Sequence, residues 1–327
     1  MVKKRILSGM RPTGPLHLGN LHGALANWKS MQDDYECFFF IADWHALTSD
    51  YDTTAPIQGY VMDIFLDWLS VGLSPEKCTL FVQSHVKEHA ELFLLLSMIT
   101  PLPWLERNPT YKEQIDQLKN KDLSTFGFLG YPVLQAADII MYKANGVPVG
   151  IDQAPHVELT REITRRFNYF YGDIFPIPET ILTETPKILG LDRRKMSKSY
   201  NNAIFLSDSP KQIRKRVGEM ITDPQRARRT DPGNPDVCNV FSFHQLYSDQ
   251  ETVKRIDPEC RQAKIGCVEC KQEMAESLVQ VLAPIREKRE YYEAHPDIVM
   301  AIAEEGNRKA QETACQTMEE VRKAVGL

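Results

Sequence analysis

Apolar and polar positions alternate along the first half of the chain in a way that separates strands from helices. Compact apolar runs at Ile6–Leu7, Cys37–Ala42, Cys78–Gln83 and Val147–Gly150 are bounded by polar residues, which suits parallel strands buried on both faces. Between them Leu21–Gln32, Pro56–Val71 and Tyr131–Ile140 carry apolar residues at helical spacing. This order is the βαβ pattern of a doubly wound parallel α/β sheet. From Leu206 onward the strand pattern stops. Helical spacing takes over at Lys211–Met220, Lys271–Leu282, Ile298–Ala310 and Thr313–Val325, with a proline-rich break at Asp231–Pro235. The pattern therefore predicts an α/β domain over 1–205 and a helical domain over 206–327.

Composition narrows the function classes. A chain of 327 residues suits about two domains. A net charge of −5 supplies no general basic field, so any contact with nucleic acid has to be local. No apolar run is long enough to span a bilayer, and Met-Val-Lys-Lys-Arg leads straight into a strand pattern, so no membrane role and a cytoplasmic location are expected. In such a setting seven cysteines argue against a disulfide framework and direct attention to metal or cluster binding.

The most suggestive stretch joins the first strand to the first helix: Ser8-Gly9-Met10-Arg11-Pro12-Thr13-Gly14-Pro15-Leu16-His17-Leu18-Gly19-Asn20. Glycines let a backbone approach a ligand, and a helix N-terminus offers unpaired N–H groups to an anion. It is not a P-loop, because Asn20 stands where that motif needs lysine, and the dinucleotide pattern G-x-G-x-x-G is absent. Taken alone, such a loop is more often a structural turn.

Further along, Asp43–Thr48 follows the second strand directly, which puts His45 where open α/β sheets bind ligands. Asp152 and Gln153 follow the Val147–Gly150 strand in the same way. The segment His85-Val86-Lys87-Glu88-His89 matches H-x-x-E-H, a zinc-protease pattern, but a solvated polar helix start is the plainer reading. The polar stretch Thr100–Phe128 reads as a long connection, with Lys112 able to reach a phosphate or simply to lie on the surface. Tyr131, Gln135 and Asp138 share one face of an otherwise apolar helix. A carboxylate there needs a donor: a backbone group, an arginine, or a ligand N–H or O–H. Lys195 and Lys198 lie three apart in a small-residue loop suited to a polyanion. Cys238, Cys260, Cys267 and Cys270 form C-x21-C-x6-C-x2-C, which fits tetrahedral Zn²⁺ or a [4Fe–4S] cluster equally well. Cys37, Cys78 and Cys315 are expected in the core.

Together these segments resemble a class I aminoacyl-tRNA synthetase, specifically the bacterial tryptophanyl-tRNA synthetases. His17-Leu18-Gly19-Asn20 is similar to the family's variant of the first class I signature, and Lys195-Met196-Ser197-Lys198-Ser199 matches the second letter for letter. Asp43–Thr48, Tyr131–Ile140, Val147–Gln153 and Glu158–Arg161 extend the likeness over most of the chain.

The resemblance implies a Rossmann-like catalytic domain that joins L-tryptophan to ATP and then to tRNA(Trp), with Mg²⁺ assisting, in a homodimer. It implies catalytic roles for Lys195, Lys198, Lys112 and His17. ATP contacts fall to Gly9, Arg11, Thr13, His17, Gly19, Asn20, Asp152, Lys195, Met196, Ser197, Lys198 and Ser199. Gly9 and Gly19 are expected to permit close approach of the nucleotide, and Asp152 to bind its ribose. Tryptophan contacts fall to Leu7, His45, Tyr131, Gln135, Asp138, Val147, Val149 and Gln153, with Asp138 accepting the indole N–H.

The helical domain is expected to bind the anticodon, and the last helix to pack back on the catalytic domain. A subset of the family holds a [4Fe–4S] cluster at a similar cysteine pattern, which favours the cluster over zinc, with Arg226, Arg228 and Arg229 as phosphate contacts beside it. A tyrosyl enzyme is the nearer alternative, because Tyr131, Gln135 and Asp138 also fit its pattern. A non-catalytic nucleotide-binding regulator is the more distant one.

Overall fold

The computed structural model describes residues 3–109, 111, 122–183 and 188–327. Lys112 lies outside the described residues. Five strands, β1 (Arg5–Met10), β2 (Glu36–Ile41), β3 (Cys78–Val82), β4 (Gly146–Val149) and β5 (Glu179–Leu182), form one sheet in the order β3-β2-β1-β4-β5. Every described pairing is parallel. The strand order reverses between β1 and β4, creating the crevice at which doubly wound sheets bind ligands.

The apolar run of β2 explains why it is central. Residues Cys37 to Ile41 are all buried, and successive side chains face opposite layers. Phe39 stacks on Trp28 with ring centroids 4.4 Å apart, while Phe38 stacks on Tyr142 at 4.8 Å on the other face. By contrast β5 is short and its residues are only partly buried or exposed, so no apolar run marks it in the sequence.

Several local expectations change. Asp43–Thr48 continues into a helix, Asp43–Asp50, and the Thr100–Phe128 stretch includes a short helix, Leu102–Glu106, anchored by buried Leu105. Ile298–Ala310 and Thr313–Val325 are parts of one helix, Pro296–Val325. It packs on β3 and on the Glu88–Ile99 helix, and Arg322 pairs with Glu91 at 2.6 Å.

The chain divides into two compact units. The first comprises Met1–Gly14, Gly23–Thr185 and His295–Leu327, and the second Pro15–His22 with Pro186–Ala294. A division at Leu206 follows the change in secondary structure, but the contacts divide the chain earlier. Backbone bonds from Leu18 N to Ile204 O (3.0 Å) and from Leu206 N to Leu16 O (2.9 Å) bind Pro15–His22 into the second unit.

Candidate active site

In the first unit a cavity of about 300 Å³ opens at the C-terminal ends of β1, β2 and β4. Leu7, His45, Tyr131, Gln135, Asp138, Val147, Val149 and Gln153 all line it, together with Gly9 and Arg11. Three different features of the sequence thus converge: strand ends, the start of the Asp43–Asp50 helix, and one face of the Phe126–Met141 helix. The wall is mixed: Leu7, Phe40, Ile139, Val147 and Val149 give it apolar surface, and as many polar side chains converge among them, enough to orient a ligand as well as bury it.

Asp138 is fully buried, and its donors are neither backbone nor arginine. His45 Nε2 lies 2.9 Å from Oδ2, His89 Nδ1 lies 2.6 Å from Oδ1, and Gln83 Nε2 donates to both oxygens at 2.8 and 2.9 Å. Burial opposes the charge, but the hydrogen bonds and proximity of His45 and His89 outweigh it and hold the carboxyl below its usual range. Because an ionised carboxylate only accepts, His89 Nδ1 donates to it, and in the neutral ring Nε2 accepts from the Tyr142 hydroxyl at 2.7 Å.

This removes the H-x-x-E-H reading. His85 belongs to a separate turn and contacts Asn307, Glu88 accepts from Cys315, and His89 turns into the core, so the three do not converge. Gln83, which supports Asp138 from outside the cavity, and His156, which lines it, are not singled out by any motif in the sequence. Gln83 follows β3 as His45 follows β2, so the same strand-end argument applied to β3 would have found it. His156 stands 3.2 Å from the Tyr131 hydroxyl, and burial pushes its pKa down to about 4.

Arg11 is held at the rim by Ser49 and by Asp50, 3.5 Å away. Thr13 donates its N–H to Arg11 O at 2.9 Å, and Asp152 accepts from Gln153 at 3.0 Å. Gly9 owes its place to packing: a Cβ there would come within 2.5 Å of the Phe40 ring.

The second unit brings the two lysine- and histidine-bearing loops together although they are far apart in sequence. His17 is buried, with Nδ1 lacking a hydrogen-bond partner among the described residues. Burial first, then the nearby charges of Lys198 and Lys195, lowers its pKa to about 4. Gly19 makes room for this ring, since a Cβ would stand 2.9 Å from its Nδ1 and Cε1. Close packing therefore explains both glycines before any nucleotide is considered. Asn20 Oδ1 accepts from His17 N at 3.0 Å and closes the first turn. Met196 is buried and anchors the Lys195–Ser199 loop, whereas Ser199 is exposed.

Farther along the same unit, the four cysteine thiols lie close enough to influence one another. Burial, then the charges of Cys238, Cys260 and Cys267, pushes the Cys270 thiol up to about 12. Among the described residues, no group of three His, Cys, Asp or Glu side chains is disposed to hold a metal ion. Arg226 turns inward, with Nη1 at 3.8 Å from Cys260 Sγ and 3.7 Å from Cys267 Sγ, and Nη2 donating to the carbonyls of Arg229 and Ile265. That guanidinium is thus engaged inside the fold and not presented to a phosphate. Arg228 and Arg229 are exposed, and Arg229 lies 3.7 Å from Glu269. Of the other cysteines, Cys37 and Cys78 are buried in the sheet, while Cys315 is only half-buried and donates to Glu88.

Residues 2–283 match the family model for class I tRNA synthetases (W and Y). The tryptophan–tRNA ligase of Thermotoga maritima is 54% identical over 99% of both chains, and that of Aquifex aeolicus is 47% identical over 99% of this chain and 100% of its own. The crystal structure of tryptophanyl-tRNA synthetase from Campylobacter jejuni, solved with ADP and tryptophan, superposes with a TM-score of 0.92 at 33% identity, covering 99% of this chain and 100% of that one. The match over most of the chain and the likeness to these full-length relatives decide the family: the chain belongs to the class I tRNA synthetases of the tryptophan and tyrosine group, and within it to the bacterial tryptophanyl-tRNA synthetases.

Proposed function

We propose that the cavity of the first unit is the tryptophan site of a tryptophan–tRNA ligase. The enzyme activates L-tryptophan with ATP, releasing pyrophosphate, and transfers the aminoacyl group to the 3′ end of tRNA(Trp). The carboxylate of tryptophan attacks the α-phosphate, so no covalent nucleophile is needed and the protein contributes positioning and charge stabilisation. The observation that carries the assignment is a buried, ionised Asp138 at the wall of a cavity that also offers apolar surface, an acceptor suited to an indole N–H. Leu7, Val147 and Val149 would hold the ring plane, and Tyr131, Gln135, His45 and Gln153 the polar atoms.

For ATP we assign Gly9, Arg11, Thr13 and Asp152 in the first unit. In the second we assign His17, Gly19, Asn20, Lys195, Met196, Ser197, Lys198 and Ser199. The unpartnered His17 Nδ1 supports that role, as does its depressed pKa, which keeps the ring neutral beside two lysines. Lys195 and Lys198, with Lys112, follow the departing pyrophosphate. Mg²⁺ would supply further neutralisation there, carried on the phosphates.

In the helical part we assign Cys238, Cys260, Cys267 and Cys270 to a [4Fe–4S] cluster, with Zn²⁺ the alternative. The spacing of the four cysteines and the Arg226 hydrogen bonds to Cys260 and Cys267 support the reading, since donors to sulfur complement the charge of thiolate ligands. The cluster would act as a structural clasp for a loop near the anticodon. Purification without oxygen tests it: stoichiometric iron and sulfide with brown colour are expected, and a colourless zinc protein refutes it. We also assign the anticodon to this helical part and a homodimer to the enzyme. Exposed Leu94 and Met98 on the Glu88–Ile99 helix support the second of these. No described helix is long and apolar enough to cross a membrane, which fits the expected cytoplasmic location.

Tryptophan-dependent exchange of pyrophosphate into ATP, run beside tyrosine, tests the function. Exchange with tryptophan alone is expected; exchange with tyrosine alone, or with neither, overturns the reading.

A further inference from the structure

The loop that carries Lys195 and Lys198 is held by one side chain outside it. Asn202 is buried, and its amide makes three hydrogen bonds. Oδ1 accepts from Ser197 N at 2.8 Å, and Nδ2 donates to Asp192 Oδ1 at 2.7 Å and to Lys195 O at 3.3 Å. The two backbone partners lie on either side of Met196, which is itself buried. The Asn202 carbonyl accepts from Leu191 N at 2.9 Å, so both ends of Asn202 are fixed.

We infer that Asn202 is the positioning residue of the Lys195–Ser199 loop, holding the peptides around Met196 so that both lysines are presented to the phosphates in one register. This rests on the ATP role assigned to that loop above. The chemistry requires an amide. A carboxylate of the same shape accepts from Ser197 but cannot donate, and it would face the Asp192 carboxylate; an aliphatic side chain does neither. Length is fixed as well. A Cβ on Gly190 would lie 2.2 Å from the Asn202 amide, so the amide already fills the space that a side chain at 190 would take. Gly190 is held in turn by Arg194 O, which accepts its N–H at 2.7 Å, and by Asn239 Nδ2, which donates to its carbonyl at 2.8 Å.

The residue touches no reacting atom, so its loss should appear in the steps that use ATP and not in tryptophan binding. A misplacement on the order of 1 Å costs about a hundredfold in rate. Asn202→Ala is therefore expected to lower kcat for tryptophan-dependent pyrophosphate exchange about a hundredfold and to raise the KM for ATP. Tryptophan affinity measured without ATP should stay at the wild-type value. Asn202→Asp should fail similarly, and combining it with Asp192→Asn, which restores a donor and acceptor between the two positions but not the bond to Lys195 O, should recover part of the rate. That recovery carries the test independently of how well the alanine variant folds.

Wild-type exchange kinetics in Asn202→Ala would overturn the inference, as would equal losses in tryptophan binding and exchange, or a double variant no better than Asn202→Asp. A wild-type enzyme without tryptophan-dependent exchange would instead overturn the assigned function.

Discussion

His89 Nδ1 stands 2.6 Å from Asp138 Oδ1, and neither side chain is reached by solvent. The imidazole bridges Asp138 to the Tyr142 hydroxyl, so a residue outside the cavity fixes the carboxylate that lines it. His89→Ala would leave a buried charge short of one of its donors, at a cost of about 1.5–3 kcal/mol. Tyr142→Phe removes only a neutral hydrogen bond and should cost about 1 kcal/mol. Urea denaturation of both variants checks the ranking.

The indole contact proposed for Asp138 would also set selectivity. Where a site is built to pair a substrate N–H, a substrate lacking that group leaves the acceptor unsatisfied and is rejected strongly. Asp138→Ala is expected to reduce tryptophan activation sharply and to narrow the gap between tryptophan and phenylalanine. The ratio of kcat/KM for the two amino acids measures it, and an unchanged ratio would sink the contact.

Acid should destabilise the protein in two stages. His17 and His156 each have a pKa lowered from 6.5 to about 4, so between those values the unfolded chain binds more protons and stability falls as pH drops. Asp138 acts at lower pH: its depressed pKa contributes stability that is fully present above about 3.8 and is lost as pH falls below it. Thermal melts from pH 7 downward should decline through the first window. Burial lowers His22 and His244 in the same direction, so in His156→Gln the decline should be shallower but not abolished, since only one of the titrating rings is gone.

Lys198→Ala should depress adenylate formation far more than tryptophan binding, because the role proposed for its charge is on the phosphates. Pre-steady-state adenylate formation and equilibrium tryptophan binding separate the two. Equal losses would count against that role.

Much of this was legible in the sequence. Strands buried on both faces, such as β2, write themselves as apolar runs, and residues placed just beyond them, such as His45 and Gln153, fall at ligand-binding positions by topology. Tyr131, Gln135 and Asp138 share a helix face by spacing alone, and the structure turns that face to the cavity.

What the tertiary structure decided was which groups meet across long stretches of chain. The donors to Asp138 come from Gln83, His45 and His89, on three separate elements, and no local pattern links them. The room at Gly9 and Gly19 belongs to the rings of Phe40 and His17, which only packing reveals. Pro15–His22 joins the second unit through backbone bonds from Leu18 N to Ile204 O and from Leu206 N to Leu16 O, which no change from strands to helices announces. Periodicity reports which face of an element is buried; the partner waiting on that face is chosen by the fold.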